Sequence, residues 1–318
     1  MPAIMTSNTE NLIRTELWSR QIKQLLLDDL LAMQFVRVIQ DFPDGSLLNI
    51  PSIGEAETSD FAEGQAIKYN RLDTGNFQFE FDQYKYSANS ISEKFKRDSY
   101  YSSDVVAAFV PRQHRALMEA VETRILSRGN AAQTASNLNV INEANHRWVG
   151  SGTNEAMALT DFAKANFALR KANVPMTNLV AIVDPSVAYT LQTQANVVSL
   201  LSPMPQWGDL IRTGMVTGMK FMFNLYGFDV YVSNYLPRGI AETIDSKSVT
   251  VGVANQFFSA APGDTQPIIG GFRQMPTVQF EFNKDLQQTE YLTICEYGFQ
   301  IYRPENMVVV LTDTNIVV

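Results

Sequence analysis

Two histidines, His114 and His146, and one cysteine, Cys295, are the chain's whole supply of the side chains that most often do nucleophilic or transition-metal chemistry. A structural zinc site wants four such ligands at characteristic spacing, and no cluster of that kind exists. Cys295 lies in the apolar, strand-like run YLTICEY and reads as a buried structural thiol. His114 falls on the apolar stripe of a helix and reads as a packed histidine. His146 sits in a polar stretch and reads as solvated. Gly150-Ser151-Gly152 lacks a third glycine and does not sit between a strand and a helix, so it is not a phosphate loop. No nucleophile elbow is present. Carboxylates such as Asp28, Asp29, Glu119 and Glu122 read as solvated helix faces or interface charges. The expectation is therefore no catalytic residue, no cofactor and no metal.

The element that organises the chain is a helix expected over 102–128. Ser102 or Ser103 can cap its start, and Asp104 suits the positive end of the helix dipole. Val106, Val110, His114, Leu117, Val121 and Ile125 recur at steps of three and four, which lines one face. Gly129 is expected as the C-terminal cap. Pro111 predicts a kink or two abutting helices, because proline removes an amide and crowds the preceding turn. Such a rod would be about 37 Å long.

Around it, residues 10–33 read as an amphipathic helix, and 35–39 and 47–50 as short strands about the turn Pro43-Asp44-Gly45. Residues 54–92 are long, polar and strand-like. Phe77, Phe79 and Phe81 alternate with polar residues, the period-two mark of a half-buried strand. Phe61–Tyr69 is the expected partner arm, with a turn at Asp73–Asn76. A two-stranded ribbon is marginal alone in water, so something must cover it. The stretch 130–153 reads as a loop. Then come a helix capped by Thr160, a strand at 179–183 and a helix capped by Asp184-Pro185. Strands follow at 219–225, 228–233 and 249–254, and again from 277 to 311. This order is α+β, in two or more subdomains.

At 318 residues the chain can bury a sizeable core, and 45% apolar against 18% charged residues fits a folded protein. The formal charge of −8 argues against strong sequence-independent nucleic-acid binding by net charge. No run approaches the length of a membrane span, no signal peptide is evident, and no membrane partner is expected. A lone cysteine excludes an internal disulfide and suggests cytoplasmic assembly.

Four stretches resemble the major capsid proteins of tailed bacteriophages, whose shared architecture is the HK97-like fold. The first is DFAEGQAIKYNRL followed by FQFEFDQYKYSANSISEKFKRDS, with Glu63-Gly64 entering an extended loop and Ser92-Glu93 to Asp98-Ser99 leading into the long helix. The second is LTDFAKANFALRKANVP with LVAIVDPSVAYTL. The third is LYGFDVYVSNYLP, and the fourth EYGFQIYRPENMVVVL. The resemblance spans 55–311 and implies an α+β, HK97-like capsid fold with five parts. These are an N-arm and first peripheral strands (1–52), an extended β-hairpin E-loop (53–92), a peripheral domain with spine helix 102–128 (93–175), an axial domain (176–272) and peripheral return strands (273–318).

It further implies a structural protein that assembles with itself as hexamers and pentamers into an icosahedral head around double-stranded DNA, contacted non-specifically. Implied partners are a separate scaffolding protein, a portal and a cement or decoration protein. The implied location is the virion, after assembly in the host cytoplasm. Glu57, Asp60, Glu63, Lys68, Arg71 and Asp73 are the E-loop charges expected to meet a neighbouring subunit. Lys68, Lys85, Asn283 and Asn306 are not singled out by spacing for the covalent crosslinks that some members make. The alternative within the fold is an encapsulin-type nanocompartment shell. From other classes, an α+β enzyme is disfavoured by the missing motifs, and a tail or adhesion protein by the helix-strand-helix middle.

Overall fold

The computed structural model describes residues 30–39, 47–53, 58, 60, 63–64, 74–98, 102–133, 139–193 and 221–314. The strands, in chain order, begin with β1 (Arg37–Val38), β2 (Leu47–Ile53), β3 (Thr74–Glu80) and β4 (Gln83–Ser92). Helices α1 (Glu93–Asp98) and α2 (Ser102–Gln133) follow, then the short strands β5 (Val140–Ile141), β6 (Ala144–Asn145) and β7 (Arg147–Val149). Helix α3 (Leu159–Lys171), strand β8 (Leu179–Val183) and helix α4 (Pro185–Thr193) make the helix-strand-helix segment. The rest is β9 (Phe221–Leu225), β10 (Phe228–Val232), β11 (Arg238–Ile244), β12 (Lys247–Ser259), β13 (Ile268–Asn283), β14 (Gln288–Ile301) and β15 (Val308–Asp313).

Two sheets carry the fold. A seven-stranded mixed sheet has the order β7-β15-β12-β8-β10-β9, with β11 on β12. Its central strands read as continuous apolar runs because both their faces are covered. On β8, Val180 and Ile182 face one core while Leu179, Ala181 and Val183 face the other. On β15, Val309 and Leu311 join the first core, and Val308 and Val310 the second. The first core is closed by α2 through Leu117, Val121, Ile125 and Leu126. The second is closed by α3 and α4 around Phe162, Phe228 and Phe257, whose rings meet edge to face. The second sheet has the order β1-β13-β14-β4, and α2 packs across it. A separate ribbon pairs β2 with β3 antiparallel, Leu47 opposite Glu80 and Ile53 opposite Thr74.

Several sequence expectations change. The long helix ends at Gln133 rather than 128, and Gly129 lies inside it, not at its cap. A Cβ at Gly129 would stand 2.5 Å from the Gln256 Oε1, so the glycine makes room for the Gln256 side-chain amide, whose Nε2 donates to the Leu126 carbonyl. Pro111 lies inside one continuous helix and does not divide two abutting ones. His114 is exposed, and Gln113 takes the buried place, its Oε1 accepting from the Thr293 hydroxyl at 3.1 Å. Glu122 is not solvated but 1% exposed; it accepts from the amides of Leu31 and Ala32 at 2.9–3.0 Å. Helix α3 is entered through Asp161, which accepts from the Ala158 amide, and not through a Thr160 cap. The stretch expected as a loop after 130 holds β5, β6 and β7, the last in the central sheet. Thr74–Asn76 is strand and not turn, and its partner is β2, because the β2 pattern LLNIPSI offers a full-length match where the first strand pair was expected to close on itself. Of the amphipathic helix expected at 10–33 only 30–33 are described, and there the chain enters a 3-10 turn, Ala32–Phe35; of the arm Phe61–Tyr69 only Glu63 and Gly64 are described, as a turn; the turn at 43–45 lies outside the described residues.

The dipeptide Tyr226-Gly227 has positive φ at both residues, 50° and 87°, the two-residue turn whose twist suits a hairpin, and it joins β9 to β10 as expected.

Candidate assembly site

The residues that sequence spacing left without chemistry are held in structural roles. His146 is fully buried, not solvated: its Nδ1 lies 3.1 Å from the Met307 carbonyl oxygen, so that nitrogen carries the proton, and burial lowers the ring's pKa. Its main chain joins the same layer, with Val309 N donating to His146 O at 2.9 Å. The Cys295 thiol is buried and pushed up to about 11, the opposite of an activated nucleophile. Asp161 accepts from Trp148 Nε1 at 3.2 Å and from the Ser151 amide at 3.0 Å, which ties Gly150-Ser151-Gly152 to a helix start. Asp184 caps α4 through the Ser186 amide at 2.9 Å and pairs with Arg238 at 2.7 Å. Arg147, buried entirely, is bidentate to Glu242 and reaches Asn130 at the end of α2. Among the described residues no group of three or more His, Cys, Asp or Glu could hold a metal ion, and no helix is long and apolar enough to cross a membrane.

What the surface does offer is contact area. The β2–β3 ribbon meets the body through alternate aromatic side chains of β3. Phe79 is fully buried and meets Phe81 edge to face at 5.2 Å, and Phe77 meets Tyr302 edge to face at 5.2 Å. Tyr302 also lies beneath the guanidinium groups of Arg37 and Arg303, at 5.8 and 5.3 Å. Both arginines converge on Asp264, and Arg303 foremost holds its carboxyl below the usual range. Of the charges expected to face a neighbour, Asp60 and Glu63 are exposed, while Glu57, Lys68, Arg71 and Asp73 lie outside the described residues.

Large apolar side chains are also left bare on the four-stranded sheet and its turn: Tyr84, Tyr86, Met275, Phe280 and Leu286. Phe280 is 76% exposed and Tyr86 69%. A second set, Phe167 on α3 and Tyr226 on the β9–β10 turn, is bridged by Asn166 Nδ2 donating to the Tyr226 carbonyl at 3.0 Å. Sequence reasoning missed these sets, because the alternation that exposes them depends on which sheet face α2 covers. A monomer that leaves so much aromatic surface in water invites a partner.

Comparison with known proteins gives the family. A family described as phage capsid protein matches residues 81–310. The chain belongs to that family. Its fold is the HK97-like capsid fold. A structure from Mycobacterium phage Che8 aligns with a TM-score of 0.70 at 17% identity, covering 94% of this chain and 97% of that one. The capsid of cyanophage P-SCSP1u aligns at 0.69 and 14% identity, covering 95% and 93%. The capsid of Ralstonia phage GP4 aligns at 0.66 and 10% identity, covering 98% of each chain. No curated protein matches the sequence. The family match, with capsids as structural neighbours, supports a major capsid protein, a structural component of the virion, and does not favour a nanocompartment shell.

Proposed function

We propose that this capsid protein builds the icosahedral head of a tailed double-stranded DNA phage as hexamers and pentamers, with its β2–β3 ribbon lying over the neighbouring subunit. The observation that carries this reading is the ribbon itself. Among the described residues its two seven-residue strands pair with each other and with neither larger sheet, and Gly75, Asn76, Gln78 and Glu80 are exposed along β3. Two strands do not bury enough to be stable in water, and a neighbour's surface supplies the missing cover. In this reading residues 1–52 hold the arm, 53–92 the E-loop, 93–175 and 273–318 the peripheral domain, and 176–272 the axial domain. Two pairings bear on that reading. Strand β4 pairs along its length with β14, which favours an E-loop whose projecting part ends before Gln83. Strand β15 pairs with β12 and β7, so the end of the return segment braces the sheet that contains β8 and β10.

Asp60 and Glu63, with Glu57, Lys68, Arg71 and Asp73, are the charges proposed to meet the neighbour. The chain performs no catalysis in this reading. Assembly takes place in the host cytoplasm with a separate scaffolding protein and a portal, a decoration protein binds the outside, and the enclosed DNA is touched without sequence preference. Shell stability comes from repetition, since one modest heterologous contact, closed by symmetry, recurs around every ring.

The test is electron microscopy with light scattering on the purified chain, with and without the scaffolding protein of its phage. Closed icosahedral particles are expected. A variant with 54–73 replaced by a two-residue turn is expected to remain folded and to form none. Normal particles from that variant would remove 54–73 from the assembly contact, and a monomer from the unaltered chain under all conditions would overturn the shell reading.

A further inference from the structure

The ribbon leaves the body at Phe81-Asp82, between the end of β3 and the start of β4, and three elements distant in sequence meet there. The Asp82 carboxylate receives both Arg124 and Arg128 through Oδ2. Those arginines are four residues apart on α2, so they project from one helix face on successive turns. All three side chains are about three-quarters buried, with 24% to 26% of their surface exposed. The Nε atoms of both arginines are buried without another partner. Asp82 is therefore the anion that compensates two half-sequestered cations, unlike an exposed surface pair that contributes little.

At the same bend, β14 presents Gly298. A Cβ there would stand 2.6 Å from the Glu80 carbonyl oxygen, 3.1 Å from Phe81 Cα and 3.2 Å from the Phe79 ring. Two of these three are backbone atoms, which cannot swing away. The strand end thus lies directly against β14, a distance only glycine permits. The buried Phe79 ring packs in the same place.

We propose that Asp82, Arg124, Arg128 and Gly298 form a fixed elbow: positioning residues that set the angle at which the β2–β3 ribbon leaves the body, and so the point where it meets the next subunit. The last clause rests on the shell reading; the elbow itself does not. A helix of 32 residues is a stiff reference for that angle. Two arginines one turn apart resist rotation of the bend about the helix as well as its lifting, where a single ion pair would act as a pivot. Gly298 sets the approach to β14 without charge.

Hydrogen exchange read by mass spectrometry on the full-length chain, in its unassembled fraction, tests the elbow. Asp82→Asn and Gly298→Ala act by different physics and are expected to have the same local effect. Peptides covering β2 and β3 should exchange about tenfold faster, the scale of losing a charge-assisted contact that closes a local opening. Peptides from β8, β12 and β15 should keep their rates, and Asp82→Glu should restore part of the ribbon's protection. Unchanged ribbon exchange in both variants would overturn the proposal. So would an equal acceleration in the seven-stranded sheet, which would make these residues contributors to global stability alone. Because the readout needs no particle, it fails or succeeds independently of shell assembly.

Discussion

At the scale of single residues, the chain uses its titratable groups as fasteners. His146 illustrates the sign of such a role. Burial lowers its pKa from 6.5, so the folded chain resists binding a proton that the unfolded chain accepts readily. Above the unfolded value both states are neutral and nothing is lost. As pH falls through 6.5, the unfolded state gains the proton first, and stability declines until the folded pKa is passed. Thermal unfolding should therefore show a fall in stability between pH 7.5 and 5.5 that His146→Asn reduces, since the Asn amide can still donate to Met307 O without titrating. An equal fall in the variant would assign the pH dependence elsewhere. Glu122 is the second case. It takes two backbone amides that no strand or helix satisfies, and Glu122→Ala should cost about 2–4 kcal/mol in denaturant unfolding. A loss within error of zero would mean water replaces the carboxylate freely.

At the scale of elements, α2 decides most of the architecture. One face closes the first core, Gln113 reaches into β14, Glu122 secures the segment before β1, and Arg124 and Arg128 hold the ribbon's bend. Pro111 stands in its first third and is exposed. Its ring leaves the carbonyl one turn back without an amide partner, and alanine there restores it. Pro111→Ala should raise stability by up to about 3 kcal/mol. Calorimetry checks that, and particle diameter then reports whether the proline shapes the subunit for its place in the shell. Unchanged diameter with raised stability would leave proline no geometric role.

At the scale of the whole molecule, bare aromatic surface is the feature that folding of one chain does not account for. Phe280 and Leu286 gain little in the isolated subunit, at 76% and 63% exposed. Phe280→Asp with Leu286→Asp should leave the melting temperature of the unassembled chain nearly unchanged and abolish or slow particle formation in light scattering. Normal assembly would place this sheet tip in solvent on the finished shell.

Much of this was legible before any coordinates. The apolar runs Leu179–Val183 and Val308–Leu311 identify strands buried on both faces, since so many consecutive apolar side chains have no other place to go. The Asp184-Pro185 helix start, the Tyr226-Gly227 hairpin and the buried Cys295 follow from local chemistry, and local chemistry acts over a few residues. The absence of ligand clusters and nucleophile motifs likewise directed attention from pockets to surfaces. Tertiary structure alone decided the rest. That Gly129 serves close packing and not a cap depends on Gln256, far along the chain. That Glu122 and His146 are buried depends on Leu31, Ala32 and Met307 arriving beside them. That β2 is a partner of β3 was not readable from either strand, because pairing is a contact between distant segments, and a period-two pattern states that a strand has a partner without stating which. Distance in sequence carries no spatial information until the chain closes its loops, and the elbow at Asp82, drawn from β3, α2 and β14, exists only after it has done so.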